Sequence, residues 1–377
     1  MEQFGEARKY AERWLDIIGR EELDEATAQE VSKETVENFV KHFNKGWVDY
    51  RKSVTEAGDY AGTEWRGHGI YYYDVFGQEY IDCLGGYGAL DLGWSHPEVV
   101  EAVRAQAGKS GIPSQELMDP LRGVLARLLA LITPGDIDHA FFVNSGTETI
   151  EGALKVAKLY TGKHNFISTV SAFHGKTLGS LSVMGKKDYR QALQPFGGQT
   201  FYVPFGDADA LEKQLEICSK VGIDIAAFIA EPIQGEAGAI VPPDQYWPKV
   251  REICDRFEIL MICDEVQTGM ARTGKLWGVD HWGVVPDILC VAKSLGGGVL
   301  PIGAFMGNAK ISKALEEPNP VMHTTTTGGN PMACAAAIAA INVTLRDDLA
   351  GKAAEMGDYF TAGLNQIAKK YPQVYKS

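Results

Sequence analysis

The first fifty residues carry apolar positions three and four apart among charges: Trp14, Leu15, Ile17 and Ile18, then Val36, Phe39, Val40 and Phe43. That spacing lays an apolar stripe along a helix and predicts a helical amino-terminal segment. The texture changes at Ile70. Ile70–Val75, a Gly77-Gln78 turn and Glu79–Cys83 predict two short strands in a hairpin, followed directly by Gly85, Gly86 and Gly88. From Pro97 onward, helical patterns alternate with short continuous apolar runs. Helices are expected from about Pro97, over Pro120–Leu131 and from near Thr147. The runs fall at Ala140–Val143, Asn165–Thr169, Phe201–Val203, Ile225–Ala230, Ile259–Cys263 and Ile288–Val291. Runs that stay apolar without alternation are strands buried on both faces, so the pattern predicts an α/β fold with a mainly parallel central sheet covered by helices. After Gly328-Gly329-Asn330-Pro331, an alanine-rich stretch to Leu345 and another ending near Lys370 read as helices. The expected organisation is residues 1–90 as an amino-terminal helical segment with a small sheet, 91–330 as a large ligand-binding domain, and 331–377 as the start of a small carboxy-terminal domain.

Composition narrows the function classes. The 377 residues include 36 Lys and Arg against 49 Asp and Glu, a net charge of −13, which disfavours broad binding to nucleic acid or to an acidic membrane surface. Small-molecule substrates are expected instead. The six cysteines are scattered, with no C-x-x-C pair, and fit a reducing compartment. Met1–Tyr10 lacks the basic start and apolar run of a secretory signal, and no apolar stretch reaches spanning length, so the expected location is the cytoplasm.

In open α/β sheets ligands bind at the carboxyl ends of the strands, which directs attention to residues just after the apolar runs. Asn144-Ser145-Gly146-Thr147-Glu148 follows one run and opens a helix, offering free N–H groups and hydroxyls to a phosphate; it also has the form of an ordinary helix cap. Asp264 ends the run Ile259–Cys263, where a buried carboxylate is costly unless a cation or donor meets it: a protonated pyridine nitrogen, or else a helix end that it caps or an internal ion-pair partner. Lys293 follows Ile288–Ala292 and precedes Gly296-Gly297-Gly298. Partial burial there would favour the neutral, nucleophilic amine that a Schiff base needs. Ala172-Phe173-His174-Gly175 places an aromatic where it could stack on a ring or simply fill the core. Together, the strand-end Asp, the strand-end Lys and the phosphate-type loop supply the contacts a pyridoxal phosphate requires. Competing patterns fail. Gly269–Lys275 has P-loop spacing but is followed by Leu276 where Ser or Thr would hold magnesium, no G-x-G-x-x-G follows a strand, no G-x-S-x-G occurs, and the eight histidines show no metal-ligand spacing.

These residues resemble the class III (omega-amino) pyridoxal-phosphate aminotransferases of fold type I. The resemblance runs from about Asp82 to Ala335 through Asp82–Gly88, Asn144–Glu148, Phe173-His174-Gly175, Glu231–Glu236, Asp264–Gly269 with Arg272-Thr273-Gly274, Pro286–Lys293, and Thr326 before Gly328–Pro331. The amino-terminal third is similar to the putrescine (diamine) aminotransferases at Tyr50–Thr55, Gly58-Asp59-Tyr60 and Ser114–Pro120. The resemblance implies pyridoxal 5'-phosphate as cofactor, Lys293 as its covalent anchor and proton carrier, and Asp264 as partner of the ring nitrogen. It implies that Val266 and Phe173 sandwich the ring, that Gln267 meets its phenolic oxygen, that Gly146 and Thr147 bind the phosphate, and that Ser145 and His174 lie against the cofactor. Thr326 would reach the phosphate of a neighbouring subunit, implying a homodimer or higher even oligomer with shared sites; Glu236 would lie near the substrate.

The implied reaction moves an amino group from a diamine such as putrescine to 2-oxoglutarate. Ornithine-, acetylornithine- or 4-aminobutyrate-type specificity, or binding of the cofactor without turnover, are the alternatives. Two neighbours of the motifs depart from the family: Trp94 stands where His is usual, and Thr327 where an aromatic is common. Family members also continue into a small domain bearing an arginine for the oxoacid carboxylate, whereas the sequence stops at Ser377. A truncated chain, a fragment, or a last domain supplied otherwise is therefore expected.

Overall fold

A computed structural model describes residues 4–53, 62–371 and 373. Val54, Thr55, Gly58, Asp59 and Tyr60, on which part of the amino-terminal resemblance rests, lie outside the described residues, as do Pro372 and Val374–Ser377. The chain forms two compact units. The smaller runs to Leu84 and takes in Gly93–Ser95; the larger takes in Gly85–Leu92 and continues from His96.

In the smaller unit, helices Gly5–Ile18 and Glu25–Asn38 bury Ile17, Ala28 and Val31 together with Val75. Asp24 caps the second helix by accepting from the Thr27 N–H at 3.0 Å. The expected hairpin forms from β2 (Tyr71–Asp74) and β3 (Glu79–Ile81), and an additional strand β1 (Glu64–His68) pairs antiparallel to β2. Trp94 donates its indole N–H to Asp82 at 2.7 Å and lies directly over Gly67, where a Cβ would sit 2.4 Å from the indole.

The larger unit holds a seven-stranded sheet. Its strands are β4 (His139–Val143), β5 (Asn165–Thr169), β6 (Thr200–Val203), β7 (Ile225–Ala230), β8 (Leu260–Asp264), β9 (Ile288–Val291) and β10 (Gly303–Gly307). The order is β4-β10-β9-β8-β7-β5-β6. Neighbours from β9 across to β6 are parallel, and β10 is antiparallel to both β4 and β9. Every residue of β7, β8, β9 and β10 is buried, which explains why their sequences do not alternate.

Two helices fix what lies at the strand ends. Helix Gly146–Thr161 packs tightly on the sheet because Gly152 has no side chain: a Cβ there would lie 2.1 Å from the Phe305 ring of β10. Helix Pro331–Arg346, capped by Asn330 accepting from the Ala333 N–H at 3.0 Å, packs its small Ala336 and Ala340 against Val99 of helix Pro97–Ala107. Among the described residues no helix is long and apolar enough to cross a membrane.

Candidate active site

The carboxyl ends of β4, β7, β8 and β9 open on a cavity of about 190 Å³ within the larger unit. Gly146 and Thr147 enter it from the helix after β4, Glu231 follows β7, Asp264 ends β8, and Lys293 comes two residues after β9. Phe173, His174 and Gly175 approach from the loop after β5, and Val266 and Gln267 from the turn after β8.

Asp264 is only 4 % exposed. One carboxylate oxygen accepts from the Val266 N–H at 3.1 Å and the other lies 2.7 Å from His174 Nδ1. His174 thus serves as the internal partner that a strand-end carboxylate needs. Its other ring nitrogen, Nε2, is buried with no hydrogen-bond partner among the described residues.

Lys293 is half-buried and begins a short 3-10 turn with φ of +46°, a region a side-chain-bearing residue enters at a cost. Burial pushes its ammonium below the usual lysine range, opposed by the negative charges of Asp264, Glu236 and Glu231. The balance favours release of the proton at lower pH than for a surface lysine.

Two glycines shape the walls. A Cβ on Gly146 would lie 2.7 Å from Val266 Cγ1, and one on Gly175, where φ is +106°, would lie 2.4 Å from Thr147 Oγ1. The Thr147 hydroxyl meets those of Thr177 and Ser180 at 2.8 and 2.9 Å, forming a hydroxyl cluster at the helix amino end. Ser145 acts as the cap foreseen for this loop, accepting from the Glu148 N–H at 3.4 Å, while Glu148 accepts from the Asn144 N–H at 2.6 Å. The cap and the hydroxyl cluster therefore share one helix end. Phe173 meets Tyr189 edge-on at 6.0 Å. Gln267 donates to the Tyr87 carbonyl at 3.0 Å. Ser145 and Thr326 do not line the cavity; Thr326 is exposed, its carbonyl accepting from Gln115 at 2.7 Å. The P-loop-like stretch Gly269–Lys275 is a series of turns and bends whose Arg272 pairs with Asp91.

The family model for aminotransferase class-III matches residues 60–377. The chain is a class III aminotransferase. A transaminase from the marine bacterium Virgibacillus is 28% identical, with 90% of this chain and 79% of that chain aligned at a TM-score of 0.82. The ornithine aminotransferase of Toxoplasma gondii is 32% identical over 88% of this chain and 79% of its own, TM-score 0.76. An amine transaminase from an uncultivated Pseudomonas species, solved with PLP bound, is 33% identical over 85% and 79%, TM-score 0.77. The cofactor of this aminotransferase is pyridoxal 5'-phosphate. When bound, it supplies an aldehyde that condenses with amines and a ring that takes up electrons as a proton leaves carbon.

The cavity of the aminotransferase fits that group. It holds an amine weakened by burial, a buried carboxylate already oriented by an imidazole, and a helix amino end flanked by Gly146 and Gly175, where any side chain would collide with Val266 or Thr147.

Sequence reasoning missed the part played by two carboxylates. Glu231 is 5 % exposed and accepts from the Phe173 and Gly235 N–H groups, each at 3.0 Å. Glu265 is fully buried and accepts from the Gly278 and Val279 N–H groups, each at 2.9 Å, and from the Thr268 hydroxyl. Burial pushes both carboxyls up to about 7. The signal for Glu231 was present: it follows Ile225–Ala230 as directly as Asp264 follows Ile259–Cys263.

Proposed function

We propose that this aminotransferase takes the amino group of a diamine such as putrescine and passes it to 2-oxoglutarate, giving an amino-aldehyde and glutamate. The observation that carries the reading is Glu236. It lines the cavity, half-buried, close enough to Lys293 to act on its charge, and its carboxylate accepts no hydrogen bond among the described residues. A diamine needs a counter-charge for the ammonium that does not react, and Glu236 offers one. The likeness of Ser114–Pro120 to the diamine subgroup supports the same choice.

In this reading Lys293 is the residue that would hold the cofactor's aldehyde group, and its amine would accept and return a proton at Nζ. Its partial burial keeps Nζ ready to accept that proton. Asp264, held by His174, meets the ring nitrogen. Val266 and Phe173 would hold the ring, Gln267 its oxygen, and Ser145, Gly146 and Thr147 the phosphate at the helix end. Thr326, exposed on its own chain, reaches the phosphate of a neighbouring copy, so the working unit is a homodimer or larger even assembly. The six free cysteines, five of them buried, support a reducing setting such as the cytoplasm.

A substrate panel with 2-oxoglutarate tests the assignment by glutamate and aldehyde formation. Putrescine should give the highest kcat/KM. Preferential turnover of ornithine or 4-aminobutyrate would assign the enzyme to those types instead, and a cofactor band that no amine bleaches would mark a protein that binds without turnover.

A further inference from the structure

We propose that Glu231 is a positioning residue for the cofactor cavity: one buried carboxylate that fixes, through two backbone N–H groups, both the loop that carries Phe173 and the loop on which Gln267 rests. One oxygen accepts from Phe173 and the other from Gly235, each at 3.0 Å. Phe173 lines the cavity and precedes His174, the partner of Asp264. Gly235 has no side chain, and Gln267 occupies that space: a Cβ there would fall 1.5 Å from Gln267 Oε1. A shift of either loop would move a residue that lines the cavity.

Glu231 is not the sole tie of its loop. Gln234 separately ties that loop to the end of β5, donating to Thr169 Oγ1 at 3.0 Å and to the Val170 carbonyl at 2.9 Å. A change at Glu231 should therefore alter the cavity more than the fold.

The surroundings make the arrangement sensitive to pH. The charged and titratable groups acting on Glu231 are His174, from the loop after β5, and Asp264, at the end of β8; Lys293, after β9, feels the charge of Glu231 in turn. Burial outweighs His174 and the two N–H donors and raises the carboxyl to about 7. Ionised, both oxygens accept. Protonated, one oxygen becomes a hydroxyl and a weaker, uncharged acceptor, and that side of the clasp weakens.

The test is titration of pyridoxal phosphate into cofactor-free protein, followed by quenching of protein fluorescence from pH 6 to 8.5. Glu231→Gln sets an amide NH₂ against one of the N–H groups. It should weaken binding about tenfold at pH 8, the cost of one lost hydrogen bond. Relative to wild type it should also flatten the gain in affinity as pH rises through about 7, and the cofactor-free melting temperature should change little. Wild-type affinity at pH 8, or an unchanged pH dependence, overturns the proposal. Should the amide variant fail to fold, Glu231→Asp decides: it keeps the charge but cannot reach both loops, so weakened binding with a retained pH response supports the proposal and wild-type binding overturns it.

Discussion

His174 Nδ1 and Asp264 Oδ2 lie 2.7 Å apart, with side chains 0% and 5% exposed. The two residues come from different strand ends, yet neither side chain is satisfactory in the interior without the other. Removing one partner of a buried pair commonly costs about 3–5 kcal/mol because a charge is left behind. His174→Ala should therefore lower the melting temperature of the cofactor-free protein and weaken cofactor retention on dialysis. His174→Gln, which keeps an N–H donor, should lose less of both. Equal behaviour of the two variants would separate His174 from Asp264.

Lys293→Ala removes the weakened amine from the cavity. Amine turnover should fall by about 10³-fold or more, while the far-ultraviolet dichroism remains that of wild type. Borohydride treatment of the holoenzyme followed by peptide mapping should mark the peptide containing Lys293. A label on any other lysine counts against the assignment.

Much of this site was legible because strand ends announce themselves. A continuous apolar run broken by Asp264 or followed by Lys293 fixes both the strand and the edge on which the residue stands. The partners were not legible, because contacts such as His174 to Asp264, or Thr147 to Thr177 and Ser180, join loops that only the folded sheet brings together. The last strand was also unread. Gly303-Ala304-Phe305-Met306-Gly307 is short and bounded by glycines, and its strand character comes from pairing on both sides with β4 and β9. Residues such as Glu64 and Arg66 gave β1 too polar a sequence to signal a strand; there the pairing with β2 decides.

Glu265 should leave a mark on stability against pH. Its carboxyl moves from 4.5 in the unfolded chain to about 7 in the folded one, so the folded state binds the proton more tightly. The contribution is fully present below pH 4.5 and is lost as pH rises through about 7; it is worth roughly 3 kcal/mol over that window. Glu265→Gln, which cannot titrate, should flatten this part of the stability profile. Urea midpoints of the two proteins at pH 5.5 and 8 check it, and parallel profiles would remove Glu265 as the source.

Thr326 provides a test of shared sites that does not depend on the identity of the amine. On its own chain it is exposed and does not line the cavity. If it reaches the phosphate bound by a neighbouring copy, Thr326→Ala should weaken cofactor affinity by about tenfold, the loss of one hydrogen bond to a charged group. Mixing gives the sharper result. A dimer built from one Lys293→Ala chain and one Thr326→Ala chain would hold one site with both residues intact and one with neither. After subunit exchange at limiting cofactor, the mixture should regain activity above the sum of the two variants. Simple additivity would place Thr326 outside the partner's site and leave each cavity to work with residues of its own chain.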